Sequence, residues 1–192
     1  MFSRLFILLV ILFMFGCSQS FERERYFKSY LEQRFENVTR QQLDMSCGLA
    51  VLSDIFVYRY GENVYEYQLL EKIGLKERYS FSDLKKLSEE YGKKSIPVWM
   101  SYDNLLLIKE PAIFYLERKG AKHFVSLSYV DSEHIQIKDP AWGILNYTKS
   151  QFENYWLDKD KGKGRVLIFI NNSNPAIKKE INQKINRAYL YY

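Results

Sequence analysis

The sequence predicts an α+β domain, with helices in its first half and an antiparallel sheet in its second. Three observations carry this. Residues 47 to 91 contain three stretches with apolar side chains at helical spacing. From residue 95 onward the texture changes to short runs rich in Ile, Val, Phe and Tyr, which read as strands. The length of 192 residues suffices for one domain with its own core and is too short for two ordinary ones.

Taken in order, Phe21 to Phe35 is charged and helix-prone, and within residues 17–36 it reads as a tether. Cys47 to Tyr60 places Leu49, Ala50, Leu52, Ile55 and Phe56 at helical intervals, and Gly61 ends the pattern. Tyr65 to Ile73 and Phe81 to Tyr91 form two further helices. The second has a capping box in Ser80 and Asp83 and a stop in Gly92. Ser95 to Met100, Ala112 to Leu116, Phe124 to Tyr129, His134 to Lys138 and Val166 to Ile170 are the expected strands, with one or two helical turns over Gln151 to Trp156. Asn171 to Pro175 closes the domain, which spans residues 37–171. Beyond it, Ile177, Ile181, Ile185 and Tyr189 lie at helical spacing, so residues 172–192 read as a helical extension, docked on the domain or on a partner.

Composition removes several function classes. Apolar residues make up 47% and aromatics 17%, too many for a disordered chain. The net charge of +5 arises from interleaved signs without a basic stripe, so no nucleic-acid partner is expected. Two cysteines, Cys17 and Cys47, exclude a disulfide scaffold and a four-cysteine zinc site. Only His123 and His134 remain for other metal chemistry, and His134 opens a strand after a polar turn, where exposure is expected. No glycine-rich phosphate loop appears. Neither a metal, nor a nucleotide, nor another cofactor is expected.

Residues 1–16 read as an export signal. Arg4 supplies positive charge, and Leu5 to Phe15 is an apolar run shorter than the roughly 20 residues that span a bilayer. The run ends in Phe15-Gly16-Cys17-Ser18, which resembles the lipobox of bacterial lipoproteins, although Phe15 and Met14 stand where a small residue and Leu are commoner. The resemblance implies cleavage before Cys17 and lipid on its thiol. It also implies an exported protein anchored at the periplasmic face, with Ser18 pointing to the outer membrane of a Gram-negative cell.

Cys47 begins a helix, where the dipole and the free first-turn amides favour a thiolate and so a nucleophile. The neighbouring Gly48 would let a substrate carbonyl approach the backbone. A small buried hydrophobe at the start of a core helix is the plainer reading of the same two residues. His123 opens a strand 76 residues later, and Asp139 ends the next strand 16 residues further on. Adjacent antiparallel strands joined by a turn at Asp131 to Glu133 would bring His123 and Asp139 to one edge of the sheet. Thiol amide hydrolysis needs a nucleophile, an imidazole to move the proton, a group to orient that ring and donors for the oxyanion. The order cysteine, histidine, acid supplies the first three.

Arg40 to Ala50 (RQQLDMSCGLA), Lys122 to Val125 (KHFV) and Asp139 to Gly143 (DPAWG) together closely resemble the bacteriocin-processing double-glycine peptidases. The likeness runs from about Val38 to Ile170. It implies a papain-like fold and a cysteine peptidase in which Cys47 is the nucleophile, His123 the general acid and base, and Asp139 the residue that orients the ring. Gln41, six positions before the cysteine, corresponds to the glutamine of the oxyanion hole, with Gln42 as the less favoured neighbour. Asp44 belongs to the same motif and reads as a cap or a support for the loop before the helix. The implied partner is a peptide or protein cut after a Gly-Gly pair. The chain departs from exporter-linked members of the family: it has no nucleotide-binding motif, and Ser46 precedes the cysteine where they more often carry Asp. It resembles instead a branch of stand-alone exported or lipid-anchored relatives. Two other readings use the same residues, a peptide-binding lipoprotein without catalysis and an acyl or amide transferase working through a thioester.

Overall fold

The computed structural model describes residues 28–118 and 120–170. The expected export signal, the lipidated Cys17, most of the tether and the carboxy-terminal helical extension lie outside the described residues. The described residues hold six helices and seven strands. The helices are α1 (Tyr30–Arg34), α2 (Cys47–Tyr60), α3 (Glu66–Ile73), α4 (Phe81–Glu90), α5 (Tyr102–Leu105) and α6 (Lys149–Trp156). The strands are β1 (Lys94–Met100), β2 (Ala112–Arg118), β3 (Ala121–Val130), β4 (His134–Asp139), β5 (Gly143–Thr148), β6 (Leu157–Asp158) and β7 (Lys163–Ile170). The expected α+β class is the observed one.

All seven strands form one antiparallel sheet in the order β1-β7-β2-β3-β4-β5, with β6 added against β7. Side-chain alternation divides the core into two clusters. Ile113, Phe124, Leu167 and Phe169 pack with α2, α3 and α4 on one face. Phe114, Val125, Ile137, Val166 and Ile168 pack with α5 and α6 on the other. Strands β2 and β7 are therefore buried on both faces, which explains why Ala112 to Leu116 and Val166 to Ile170 are unbroken apolar runs.

Helix α2 is central, and every residue from Cys47 to Phe56 is buried. A helix apolar on all sides can only be a core helix. Its buried polar residues are each partnered: Ser53 Oγ donates to the Val64 carbonyl at 2.9 Å, and Asp54 is discussed below. Gly61 terminates α2 in the left-handed conformation (φ 67°), as its position after the last periodic residue predicts. Helix α4 starts at a capping box in which Ser80 Oγ accepts from Asp83 N–H and the Asp83 carboxylate accepts from Ser80 N–H at 2.8 Å.

Three elements are absent from the expectation. The four-residue α5 and two-residue β6 are too short for any periodicity to show. Strand β5 starts at a glycine and contains Asn146, and its burial comes from pairing with β4, a cross-strand relation that residue type alone does not express.

Gly143, at the β4–β5 turn, has φ 79°, and a Cβ there would lie 2.3 Å from the Arg34 carbonyl oxygen. The described end of the expected tether thus rests against the turn that follows Asp139. A Gly143→Ala substitution combines a left-handed backbone with a backbone collision. It is expected to lower unfolding free energy by about 2 kcal/mol or more, read as a lower urea midpoint at unchanged slope; an unchanged midpoint would show that α1 does not seat on this turn in solution.

Candidate active site

Cys47 stands at the first position of α2, is 8% exposed, and is a free thiol. Ser46, the residue before it, does not cap the helix. Its hydroxyl instead clasps Leu43, accepting from the Leu43 N–H (3.1 Å) and donating to the Leu43 carbonyl (2.8 Å). The amides of the first turn therefore keep no side-chain partner and face the end of the helix where the thiol sits. The loop from residue 41 to 46 is held from behind by Glu66 of α3, a buried carboxylate whose two oxygens each accept from the Gln42 N–H at 3.2 Å. Burial pushes the Glu66 carboxyl above its ordinary range, against the hydrogen bond from the Gln42 amide.

Strands β3 and β4 supply the other two residues. Asp131 Oδ1 accepts from the Glu133 (2.8 Å) and His134 (2.7 Å) amides and so fixes the turn between them. The pairing continues from Val130 opposite Ile135 to Ser126 opposite Lys138. This brings His123, near the start of β3, beside Asp139, at the end of β4. His123 Nε2 donates to Asp139 Oδ1 at 2.8 Å. The same oxygen accepts from the Ala141 and Trp142 amides at 2.8 and 3.1 Å. With Nε2 committed to a carboxylate, Nδ1 is the ring nitrogen left for the Cys47 thiol. Burial alone would lower the imidazole pKa, but hydrogen bonds to Asp139 and Cys47, and their charges, outweigh it and raise His123 to about 9. The thiol, the ring and the buried carboxylate thus stand together, the ring bonded to the carboxylate and raised in pKa by both neighbours.

Gln41 joins the strap before α2 to the acid's turn, its backbone N–H donating to the Pro140 carbonyl at 3.0 Å. Its side-chain Nε2 donates to the carbonyls of Leu43 (2.9 Å) and Asp44 (3.3 Å), and its Oε1 is buried without a partner. The Gln42 side chain is exposed, which separates the two glutamines.

The side chain that Gly48 lacks leaves room for Phe124 and Leu84, whose carbons would lie 3.1 and 3.3 Å from a Cβ, so the glycine permits close packing of α2 on β3 and α4. Asp44 is exposed and does not cap α2; support of that loop comes from Ser46 and Glu66. His134 is exposed, as expected, with its ring 3.8 Å from Asp131. Among the described residues no three His, Cys, Asp or Glu side chains gather as a metal site would require. No described helix is long and apolar enough to cross a membrane. Glu66 was not legible in the sequence, because a lone acid in an amphipathic helix looks like surface.

The raised His123 pKa links stability to pH. The ring binds its proton more tightly folded than unfolded, so its contribution is complete below about pH 6.5 and is lost as pH rises through about 9. The unfolding free energy of the native chain is expected to fall across this window by on the order of 3 kcal/mol, and His123→Gln should flatten that dependence. Equal pH slopes in the two proteins would contradict the pairing.

Comparison with known proteins places these features together. Residues 36–160, which include Gln41, Cys47, His123 and Asp139, match the Peptidase C39 family. The chain is 30% identical over 137 residues to the "Probable functional amyloid protease FapD" of Pseudomonas aeruginosa, covering 67% of this chain and 61% of that protein. It is also 30% identical over 135 residues to the sublancin-168-processing and transport ATP-binding protein SunT of Bacillus subtilis, covering 64% of this chain and 19% of that protein. The chain thus spans about six tenths of the first relative and a small part of the second. Among solved structures it shares the fold of a double glycine motif protease from an AMS/PCAT transporter in complex with the leader peptide (TM-score 0.59, 22% identity, 69% of this chain and 89% of that one). It also shares the fold of the peptidase domain of Streptococcus ComA (TM-score 0.59, 17% identity, 70% and 98%). The expectation drawn from three short motifs is met over most of the domain, and the chain belongs to the Peptidase C39 family.

Proposed function

We propose that this protein is a cysteine peptidase that hydrolyses peptide bonds after small residues such as Gly-Gly, with Cys47 as nucleophile, His123 as general acid and base, and Asp139 as the residue that orients the ring. The observation that carries the proposal is the His123–Asp139 pair at 2.8 Å, with the Cys47 thiol at the start of α2 near enough to the ring to help raise its pKa. In the first step His123 takes the thiol proton and Sγ attacks the scissile carbonyl, forming a C–S bond and an oxyanion. The intermediate collapses, the C–N bond breaks, and the imidazolium gives its proton to the leaving amine. Water then attacks the thioester, losing its proton to His123, and the acid product leaves with Sγ restored.

The oxyanion is assigned to the amides at the start of α2 and to Gln41. One Nε2 proton of Gln41 is held by the Leu43 carbonyl at 2.9 Å, while the contact to Asp44 is long at 3.3 Å, so the second proton is the one free to be drawn to an oxyanion. The buried and unpartnered Oε1 fits a side chain held in place for a task other than its own hydrogen bonding.

The substrate class follows from the relatives. One is named for a functional amyloid and another for the processing of sublancin-168, and a solved neighbour is a double glycine motif protease with its leader peptide. In keeping with these names, we take the substrate to be a peptide or protein with a Gly-Gly-like cleavage site. We place the enzyme outside the cytoplasm, anchored by lipid on Cys17, on the strength of the apolar amino-terminal run and Gly16-Cys17. A non-catalytic peptide binder or a transferase would keep the same fold. The binder is disfavoured because Gln41, Cys47, His123 and Asp139 are all present, and the transferase differs only in the nucleophile that clears the thioester.

Incubation of the chain with Gly-Gly-containing peptides, followed by mass spectrometry, is expected to yield fragments ending in glycine. Cys47→Ala should give none, and Gln41→Ala should lower kcat by about 100-fold. The alkaline limb of kcat/KM is expected near the His123 value of about 9, where the acid for the leaving amine is lost. Intact peptide with both native and Cys47→Ala protein would remove the hydrolase reading for this substrate class.

A further inference from the structure

Asp54 lies two turns along α2 from Cys47, 3% exposed, in a helix otherwise almost wholly apolar. Its carboxylate is a meeting point for chain segments distant in sequence. Oδ1 accepts from the Thr39 backbone N–H at 3.0 Å. Oδ2 accepts from Ser126 Oγ at 3.3 Å and from Lys138 Nζ at 3.4 Å. Lys138 Nζ also donates to the Asn37 carbonyl at 2.5 Å and sits 4.9 Å from the centre of the Tyr58 ring. Each of these partners stands close in sequence to a different residue of the site. Thr39 is two before Gln41, Ser126 three after His123, and Lys138 immediately before Asp139. Ser126 and Lys138 are direct cross-strand partners on β3 and β4.

We propose that Asp54 is the positioning residue of the site, a single buried carboxylate that sets where α2 stands relative to β3, β4 and the Gln41 strap, and hence where Cys47 stands relative to His123. The inference rests on the peptidase reading above. A core helix would pack as well with leucine at this position, and burial of a carboxylate is costly unless it is paired and hydrogen-bonded. Hydrophobic contacts are non-directional and allow a helix to slide by fractions of an ångström. Three hydrogen bonds to one carboxylate do not. Misplacement by about 1 Å at a reacting pair is enough to cost about 100-fold in rate. Burial pushes the Asp54 carboxyl above its ordinary range, and Lys138 and the Thr39 amide oppose that push, so the ionised form depends on these partners remaining in place. The other charged or titratable groups near it are Lys138 itself and Tyr58.

The test follows Cys47 directly, by the rate of its alkylation with iodoacetamide against pH, read on the peptide that carries it. It compares the native chain with Asp54→Asn, Lys138→Met, the double variant and Ser126→Ala. Asp54→Asn keeps an acceptor for the Thr39 amide but sets an amide against Lys138, and Lys138→Met leaves the carboxylate without its cation. Both are expected to alkylate at least about tenfold more slowly at neutral pH, with the profile moved towards that of an ordinary thiol, and to lower kcat with KM changed less than about threefold. The double variant removes both charges together and should recover most of the loss, a rescue that simple destabilisation would not give. Ser126→Ala deletes one donor, keeps the ion pair and the fold, and should slow alkylation about threefold. Native profiles in Ser126→Ala and in the single charge variants would overturn the proposal, as would a double variant slower than either. If native Cys47 alkylates like an ordinary exposed thiol, it is the peptidase reading that fails, an outcome distinct from the first two.

Discussion

One carboxylate oxygen holds the site together. Asp139 Oδ1 accepts from the His123 ring and from the amides of Ala141 and Trp142. The two amide bonds lock the acid at the start of its own turn, so the ring is referred to the backbone and not to a mobile side chain. That oxygen meets the ring because β3 and β4, after a one-residue register shift between Leu127 and Tyr129, pair with Ser126 opposite Lys138. A slip of one residue would turn His123 and Asp139 to opposite faces. The register is in turn secured by Asp131, which ties both ends of the intervening turn, and by Ile135 and Ile137, which are buried beneath α6. The His123–Asp139 geometry is therefore a consequence of strand pairing, and the pairing a consequence of alternating apolar burial.

Around this frame, polar groups are concentrated where α2 meets the strands. Asp54 and Glu66 are buried acids on α2 and α3, and they hold the two ends of the segment from Thr39 to Gln42. The opposite cluster is apolar by comparison, built on the edge-to-face rings of Phe114, Phe152 and Trp156. One face of the sheet is thus packed mainly by shape, with Tyr102 and Trp156 each donating one hydrogen bond to a backbone carbonyl, and the other is specified by hydrogen bonds to buried carboxylates. Such bonds contribute modestly to net stability but strongly penalise alternatives in which a partner is missing.

The main helices and strands were legible because each carries its own signal. Cys47 to Tyr60 is apolar at helical spacing and is stopped by Gly61, and Ser80 with Asp83 announces α4. His123 and Asp139 were legible as a pair because an intervening polar turn converts a separation of 16 residues into adjacency. What escaped was whatever depends on contact across the chain. Strand β5 exists by pairing with β4, Gly48 is explained by Phe124 and Leu84, and Glu66 acts on a loop 24 residues away. Asp54 did leave a trace, as a charge inside an apolar helix seven residues after the thiol, but its partners lie 15, 72 and 84 residues distant. Periodicity reports which way a side chain faces and cannot name what waits there.

The place of β7 has a temporal consequence. This last strand of the described residues lies between β1 and β2, the first two in sequence, and pairs with both. Until residues 163–170 arrive, β1 has no partner strand and β2 has one open edge. A chain emerging amino-terminus first, from a ribosome or a translocation pore, must therefore carry its thiol helix for more than a hundred residues before the sheet beneath it can close. Long-range strand pairing of this kind is slow and leaves adhesive edges exposed in the meantime. The thiol helix is thus made early, while the sheet face it packs on, to which β7 contributes Leu167 and Phe169, is finished last.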